Sequence, residues 1–243
     1  MPTSGKIICR VYRSKPAIAV DSSAHTEIVN SSMREIRAYC FDLDGTLINS
    51  GPDIVAAANT TRRAFMVPEL PYDRIIEFVG SGVRQLMAGV MQDLAEEEWD
   101  PASEHFLKTY HNAMTVKTHL YDGIVELLDS KMHLPLAICT NKPQDMSEII
   151  VRHFKIADYF KILVGAEADF PKKPDPQGLL HICKQLGCVP EEVAMIGDSV
   201  VDIETAKAAG CMSVAVSWGF QTEDELMAAN PDLLIHHPSE LII

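Results

Sequence analysis

From Arg37 onward, short apolar runs alternate with longer stretches whose apolar residues recur every three or four positions. The runs at 38–43 (AYCFDL), 134–140 (LPLAICT), 162–166 (ILVGA), 193–198 (VAMIGD) and 212–217 (MSVAVS) predict strands, with a short sixth at 232–236. Near-continuous apolar runs of this length suit strands buried on both faces. Helices are expected at 143–154, opening on a proline that suits a first turn, at 176–186 before Gly187, and at 200–209 before Gly210. The segment TEDE at 222–225 has the form of a capping box. Such alternation predicts an α/β fold, a mostly parallel sheet with helices on both faces and right-handed crossovers. In sheets of this kind ligands bind beyond the carboxyl ends of the strands.

Residues 52–118 break the rhythm. Val83, Leu86, Met87, Val90, Met91 and Leu94 fall on one helical face, further helices are expected at 52–66, 72–79 and 102–116, and no strand is expected. A helical block inserted there would stand over the end of the first strand. Residues 1–32 are polar, rich in Ser and Thr, and without period; they are expected to be a disordered extension or a product of start-site choice, since Met33 is a natural beginning. An import presequence is the weaker alternative, suggested by early basic residues and no acid before Asp21. The phase change divides the chain into that extension, a core at 33–51 and 119–243, and the helical block at 52–118.

Charge narrows the partners. A net charge of −13 argues against nucleic acid or an anionic membrane surface, which need dense basic patches, but not against a small anionic ligand held locally. No apolar run reaches the roughly 18 residues that cross a bilayer, and Lys6, Arg10 and Arg13 interrupt any secretory core near the start. Six cysteines lack paired spacing and read as buried free thiols in a reducing, cytoplasmic compartment. The histidines, including His236 and His237, show no ligand spacing. The oligomeric state is left open.

Four segments at predicted strand ends or in turns carry candidate chemistry. In YCFDLDGTLINS, Asp42 and Asp44 point to one side as the strand runs out; they read as a metal pair, as an acid and a nucleophile, or as a turn. In CTNK, Thr140 and Asn141 offer a hydroxyl and an amide to phosphoryl oxygens, or cap a helix. In FPKKPDP, Lys173 precedes proline, which restricts its backbone and makes a fixed ammonium. In MIGDSVVD, Asp198 ends a strand and Asp202 follows one helical turn later; carboxylates so grouped imply a hard divalent cation such as Mg²⁺.

Taken in order, these four motifs resemble those of the haloacid dehalogenase superfamily of phosphotransferases over about residues 36–243. The resemblance implies a Rossmann-like core with an inserted α-helical cap, Mg²⁺ as cofactor, and a small-molecule phosphate ester as substrate. It makes Asp42 the nucleophile that forms an aspartyl-phosphate and Asp44 the general acid and base. Thr140, Asn141 and Lys173 would hold the phosphoryl oxygens, with Mg²⁺ between Asp42, the backbone carbonyl of Asp44, and Asp198. Asp202 is expected in support, through water or by orienting Lys173. CTNKP, KKPDP and VGSGVRQLM look most like phosphoglycolate phosphatases, so 2-phosphoglycolate is the expected substrate. The alternatives are an N-acetylmuramic acid 6-phosphate or other sugar-phosphate phosphatase, a phosphoglucomutase-like enzyme, and a non-catalytic binding protein on the same fold. Within GSGVR, Arg84 either meets a substrate carboxylate or lies solvated at a helix start.

Overall fold

The computed structural model describes residues 35–166 and 170–242; the expectation for residues 1–32 lies outside them. β1 (Ala38–Phe41) is followed by the two-residue strand β2 (Ile48–Asn49), then by α1 (Gly51–Ala64), α2 (Tyr72–Ile76), α3 (Val83–Val90) and α4 (Trp99–His111). The chain returns through β3 (His119–Leu120) and α5 (Ile124–Lys131) to β4 (Leu136–Pro143), α6 (Gln144–His153) and β5 (Phe160–Ala166). It ends with α7 (Gln177–Leu186), β6 (Val193–Gly197), α8 (Val200–Ala209), β7 (Met212–Val216), α9 (Glu223–Ala228) and β8 (Leu233–Ile235).

Six strands form one sheet in the order β5-β4-β1-β6-β7-β8, and every neighbouring pair is parallel. Alternate residues of β1 enter different cores. Tyr39 and Phe41 pack with α5 and the helical block, whereas Ala38 and Cys40 pack with α7 and α8. Each Leu, Ile or Met buried this way stabilises the fold by about 2 kcal/mol. From β1 the chain builds outward on one side through β4 and β5, then crosses to β6 on the other. The carboxyl ends of β4, β1 and β6 therefore lie side by side where the strand order reverses, the usual ligand crevice of such sheets.

Local signals placed most helix ends. Gly187 and Gly210 adopt left-handed caps, and Thr222 accepts from the Glu225 amide in the expected capping box. The predicted face of α3 is buried at Leu86, Met87, Val90 and Met91. Three expectations need correction. β4 runs on to Pro143, so that proline ends a strand and precedes α6 rather than opening it. The helix expected at 102–116 runs from Trp99 to His111. α5 and the β2–β3 ladder were not expected from the pattern; the ladder pairs Ile48 with Leu120 and Asn49 with His119.

That ladder lies where the helical block leaves and rejoins the core. Asp53, buried in the first turn of α1, fastens the same place. Its carboxylate accepts the Lys117 amide at 2.9 Å and the Thr118 amide and hydroxyl each at 2.8 Å. Within the block, buried Arg62 donates to the carbonyls of Pro68 and Val90 and to Asp93. The five described cysteines are free thiols, four of them buried. No helix among the described residues is long and apolar enough to cross a membrane.

Candidate active site

Asp42 leaves β1 with its amide bonded to the carbonyl of Ile196 on β6, so neighbouring strands hold it. Gly45 then turns the chain at φ +86°, and a Cβ there would overlap the Asp198 carboxylate. Only glycine meets both demands. Asp198, beyond the end of β6, accepts Thr46 Oγ1 at 3.0 Å and the Phe220 amide at 2.8 Å. One carboxylate oxygen each from Asp42, Asp198 and Asp202 lies within 4.8 Å of the others, and all three residues are buried.

Lys173 reaches this group from the loop between β5 and α7. Its Nζ is 2.9 Å from Asp42 Oδ1 and 2.6 Å from Asp202 Oδ1. Burial alone would lower its pKa, but Asp202 and Asp42 outweigh burial and hold the ammonium charged. Asp202 is otherwise engaged as a helix cap partner: its second oxygen accepts the Ser199 amide at 3.1 Å and hydroxyl at 2.5 Å.

One ammonium does not balance three buried carboxylates. Burial, opposed by Lys173 and reinforced by Asp202 and Asp44, pushes the Asp42 carboxyl up to about 6. Burial and the charges of Asp42 and Asp202 raise Asp198 well above the ordinary carboxylate range. Asp42 Oδ1, although close to Lys173, accepts no hydrogen bond of good geometry. An all-oxygen donor set with an unsatisfied carboxylate oxygen fits a hard cation.

Asp44 lines the same cleft as Asp42 but its carboxylate has different partners. It accepts Ser50 Oγ at 2.5 Å, and Lys142 Nζ lies 2.9 and 3.1 Å from its two oxygens. That ammonium also donates to Tyr110 of α4 at 2.7 Å and lies 4.4 Å from the centre of the Tyr110 ring. Lys142 was not singled out from the sequence, because Thr140 and Asn141 beside it offered the more familiar phosphoryl contacts.

Irregular pairing at the end of β4 explains how three consecutive residues line one cleft. Cys139 pairs with Val164 and Pro143 with Ala166, so three residues of β4 lie opposite one of β5. This bulge interrupts the strict alternation of side chains. Gly165 permits it: a Cβ there would lie 2.8 Å from Gln144 Cα and 2.9 Å from the Lys142 carbonyl oxygen. Thr140 Oγ1 accepts the Lys142 amide at 3.2 Å, which leaves its hydroxyl hydrogen free to turn. Asn141 lines the cleft but gives its amide to the Gly80 carbonyl at 2.9 Å and the Lys173 carbonyl at 3.0 Å, while its oxygen accepts the Lys173 amide at 2.8 Å. It thus ties the Lys173 turn to the loop before α3.

The cleft, about 510 Å³ counted with its open mouth, is bounded by these strand ends and by the helical block. Arg84 is not part of its lining. The arginine is half exposed and pairs with Asp100 at 3.1 Å and Glu96 at 3.5 Å.

A parallel sheet with acids grouped at the ends of β1 and β6, a buried lysine and a helical block above them defines a class. Residues 39–216 match the haloacid dehalogenase-like hydrolase family, and the chain belongs to that family. It is 34% identical over 217 residues to a phosphoglycolate phosphatase of Chromobacterium violaceum, covering 86% of this chain and 96% of that protein. It is 35% identical over 211 residues to an N-acetylmuramic acid 6-phosphate phosphatase of Pseudomonas aeruginosa, covering 85% and 93%. Among solved structures, a haloacid dehalogenase-like hydrolase from Streptococcus pneumoniae superposes with a TM-score of 0.80 at 25% identity, covering 86% of this chain and 98% of that one. A Bacteroides fragilis hydrolase of the same family superposes at 0.79 with 27% identity, covering 85% and 100%. The chain is a phosphoric monoester hydrolase of this family.

Proposed function

We propose that this enzyme is a Mg²⁺-dependent phosphatase that hydrolyses a small phosphate monoester through an aspartyl-phosphate on Asp42. The observation that carries the reading is the convergence of Asp42, Asp198 and Asp202, with Lys173 set against Asp42 and Asp202, next to a cleft that Asp42 itself lines. Asp42, Asp198 and the backbone carbonyl of Asp44 would hold the cation, which when bound supplies the positive charge that lets a carboxylate approach a phosphate dianion. Asp202 is occupied by Lys173 and Ser199, and its role is to hold that lysine in place.

Asp42 attacks phosphorus as the ester P–O bond breaks, and Asp44 gives its proton to the departing alcohol. Water then attacks the same phosphorus, Asp44 takes a proton back, and phosphate leaves Asp42 free. Lys173 neutralises the phosphoryl oxygens, and Thr140 donates its hydroxyl to one of them. Asn141 contributes by fixing the Lys173 turn. The helical block serves as the cap that excludes water while the ester is bound.

The names carried by the relatives make 2-phosphoglycolate the first ester to test and N-acetylmuramic acid 6-phosphate the second. Purified enzyme with Mg²⁺ should release phosphate from one of them or from a related small monoester, and Asp42→Asn should not. Release that survives Asp42→Asn would remove the assigned nucleophile. A requirement for a bisphosphate activator would turn the reading to a mutase.

A further inference from the structure

The cleft that Asp42 and Asp44 share has a definite chemistry. Beyond Asp42 and Asp44 its wall is formed chiefly by Ile54, Val83, Leu86, Phe106, Leu107 and Met146. The charged residues of the lining are Asp42, Asp44 and Lys142. Lys142 is committed: its side chain is 4% exposed, it lies 2.9 and 3.1 Å from both oxygens of Asp44, and Tyr110 takes another of its hydrogens. Arg84 is held outside the cleft by Asp100 and Glu96. Lys172 is exposed, with its Nζ 2.9 Å from where a Cβ of Gly82 would stand, and so lies on the rim rather than in the lining.

A carboxylate on the departing alcohol would enter an apolar wall, face Asp44, and find the cation there already paired. Moving an unpaired carboxylate into such surroundings costs several kcal/mol. An uncharged alcohol meets no such opposition, and its burial against the wall is favourable. Resting on the phosphatase reading above, we propose that the site selects esters whose leaving alcohol is uncharged and largely apolar, and discriminates against those whose leaving alcohol carries a carboxylate.

The test compares 2-phosphoglycolate with carbamoylmethyl phosphate, its neutral amide of nearly the same size, and with propyl phosphate, using the full chain and Mg²⁺. The neutral amide should exceed 2-phosphoglycolate in kcat/KM by roughly tenfold or more, the factor that corresponds to about 1.4 kcal/mol. Val83→Arg, which sets a cation in the wall at a half-buried position, should reverse that order by raising turnover of the carboxylate ester and lowering that of propyl phosphate. Arg84→Met and Lys172→Met, both exposed, should leave the ratio unchanged. Equal or faster turnover of 2-phosphoglycolate by the unmodified enzyme would overturn the inference while leaving the phosphatase reading intact. A selective loss of 2-phosphoglycolate turnover in Arg84→Met or Lys172→Met would overturn it too, by showing that a rim cation reads the carboxylate. Absence of turnover on all three esters and on an aryl phosphate would instead remove the phosphatase reading and this inference with it.

Discussion

Removing the Asp53 carboxylate should loosen the junction between the helical block and the core. This side chain is 4% exposed and serves three donors: the amides of Lys117 and Thr118, and the Thr118 hydroxyl. Hydrogen bonds to a charged group contribute about 1.5–3 kcal/mol each, and a buried donor left without a partner costs about 1–3 kcal/mol. Water entering the space left by Asp53→Ala would satisfy part of that demand, so the expected loss is about 4 kcal/mol. For a chain of this size that corresponds to a fall in Tm of roughly 10 °C. Thr118→Val removes one donor and leaves Asp53 its two amides, so it should cost only about 1 kcal/mol. Thermal and urea unfolding followed by far-ultraviolet circular dichroism measure both variants. If Asp53→Ala costs no more than Thr118→Val, the carboxylate does not fasten the junction.

Between about pH 4 and 6 the cation-free folded chain keeps a proton on Asp42 that the unfolded chain has lost, because the folded value is about 6 against ~3.9 unfolded. Stability therefore falls as pH rises through that window, by about 3 kcal/mol in all, and Mg²⁺ should raise Tm clearly near pH 7.5 but little near pH 5. Equal Mg²⁺ effects at the two pH values would contradict this linkage. Lys142→Met should lower kcat by about 10–100-fold on alkyl esters and less on an aryl ester, whose alcohol departs without much help from a well-placed acid. A uniform loss on both ester types would point to folding instead. Gly45→Ala adds a side chain at φ +86° against Asp198, so it should weaken Mg²⁺ binding measured by calorimetry; unchanged affinity would show that the turn tolerates it.

What could be read in advance follows the range of the interactions. Asp42, Asp44, Gly45 and Thr46 lie within one turn, and their meaning is contained in a few adjacent residues. The glycine caps at 187 and 210 and the box at 222–225 are equally local, and they appear where expected. The β2 and β3 strands have two residues each, too few for any period to declare itself. Asp53 reaches a partner 65 positions away, and nothing near it in the chain marks that partner. Lys142 was overlooked for a related reason. Its place beside Asp44 depends on the bulge in β4, and the bulge depends on Gly165 in a different strand.

At the tip of β4, hydroxyl, amide and ammonium follow one another without a spacer, and each has its own task. Losing or gaining one residue there would hand every task to the wrong group at once, whereas a substitution alters one task alone. The length of the stretch is therefore held by the register across β5 more strictly than the identity of any one of its side chains. Gly165 inherits the same restriction from across the sheet, although it performs no chemistry of its own.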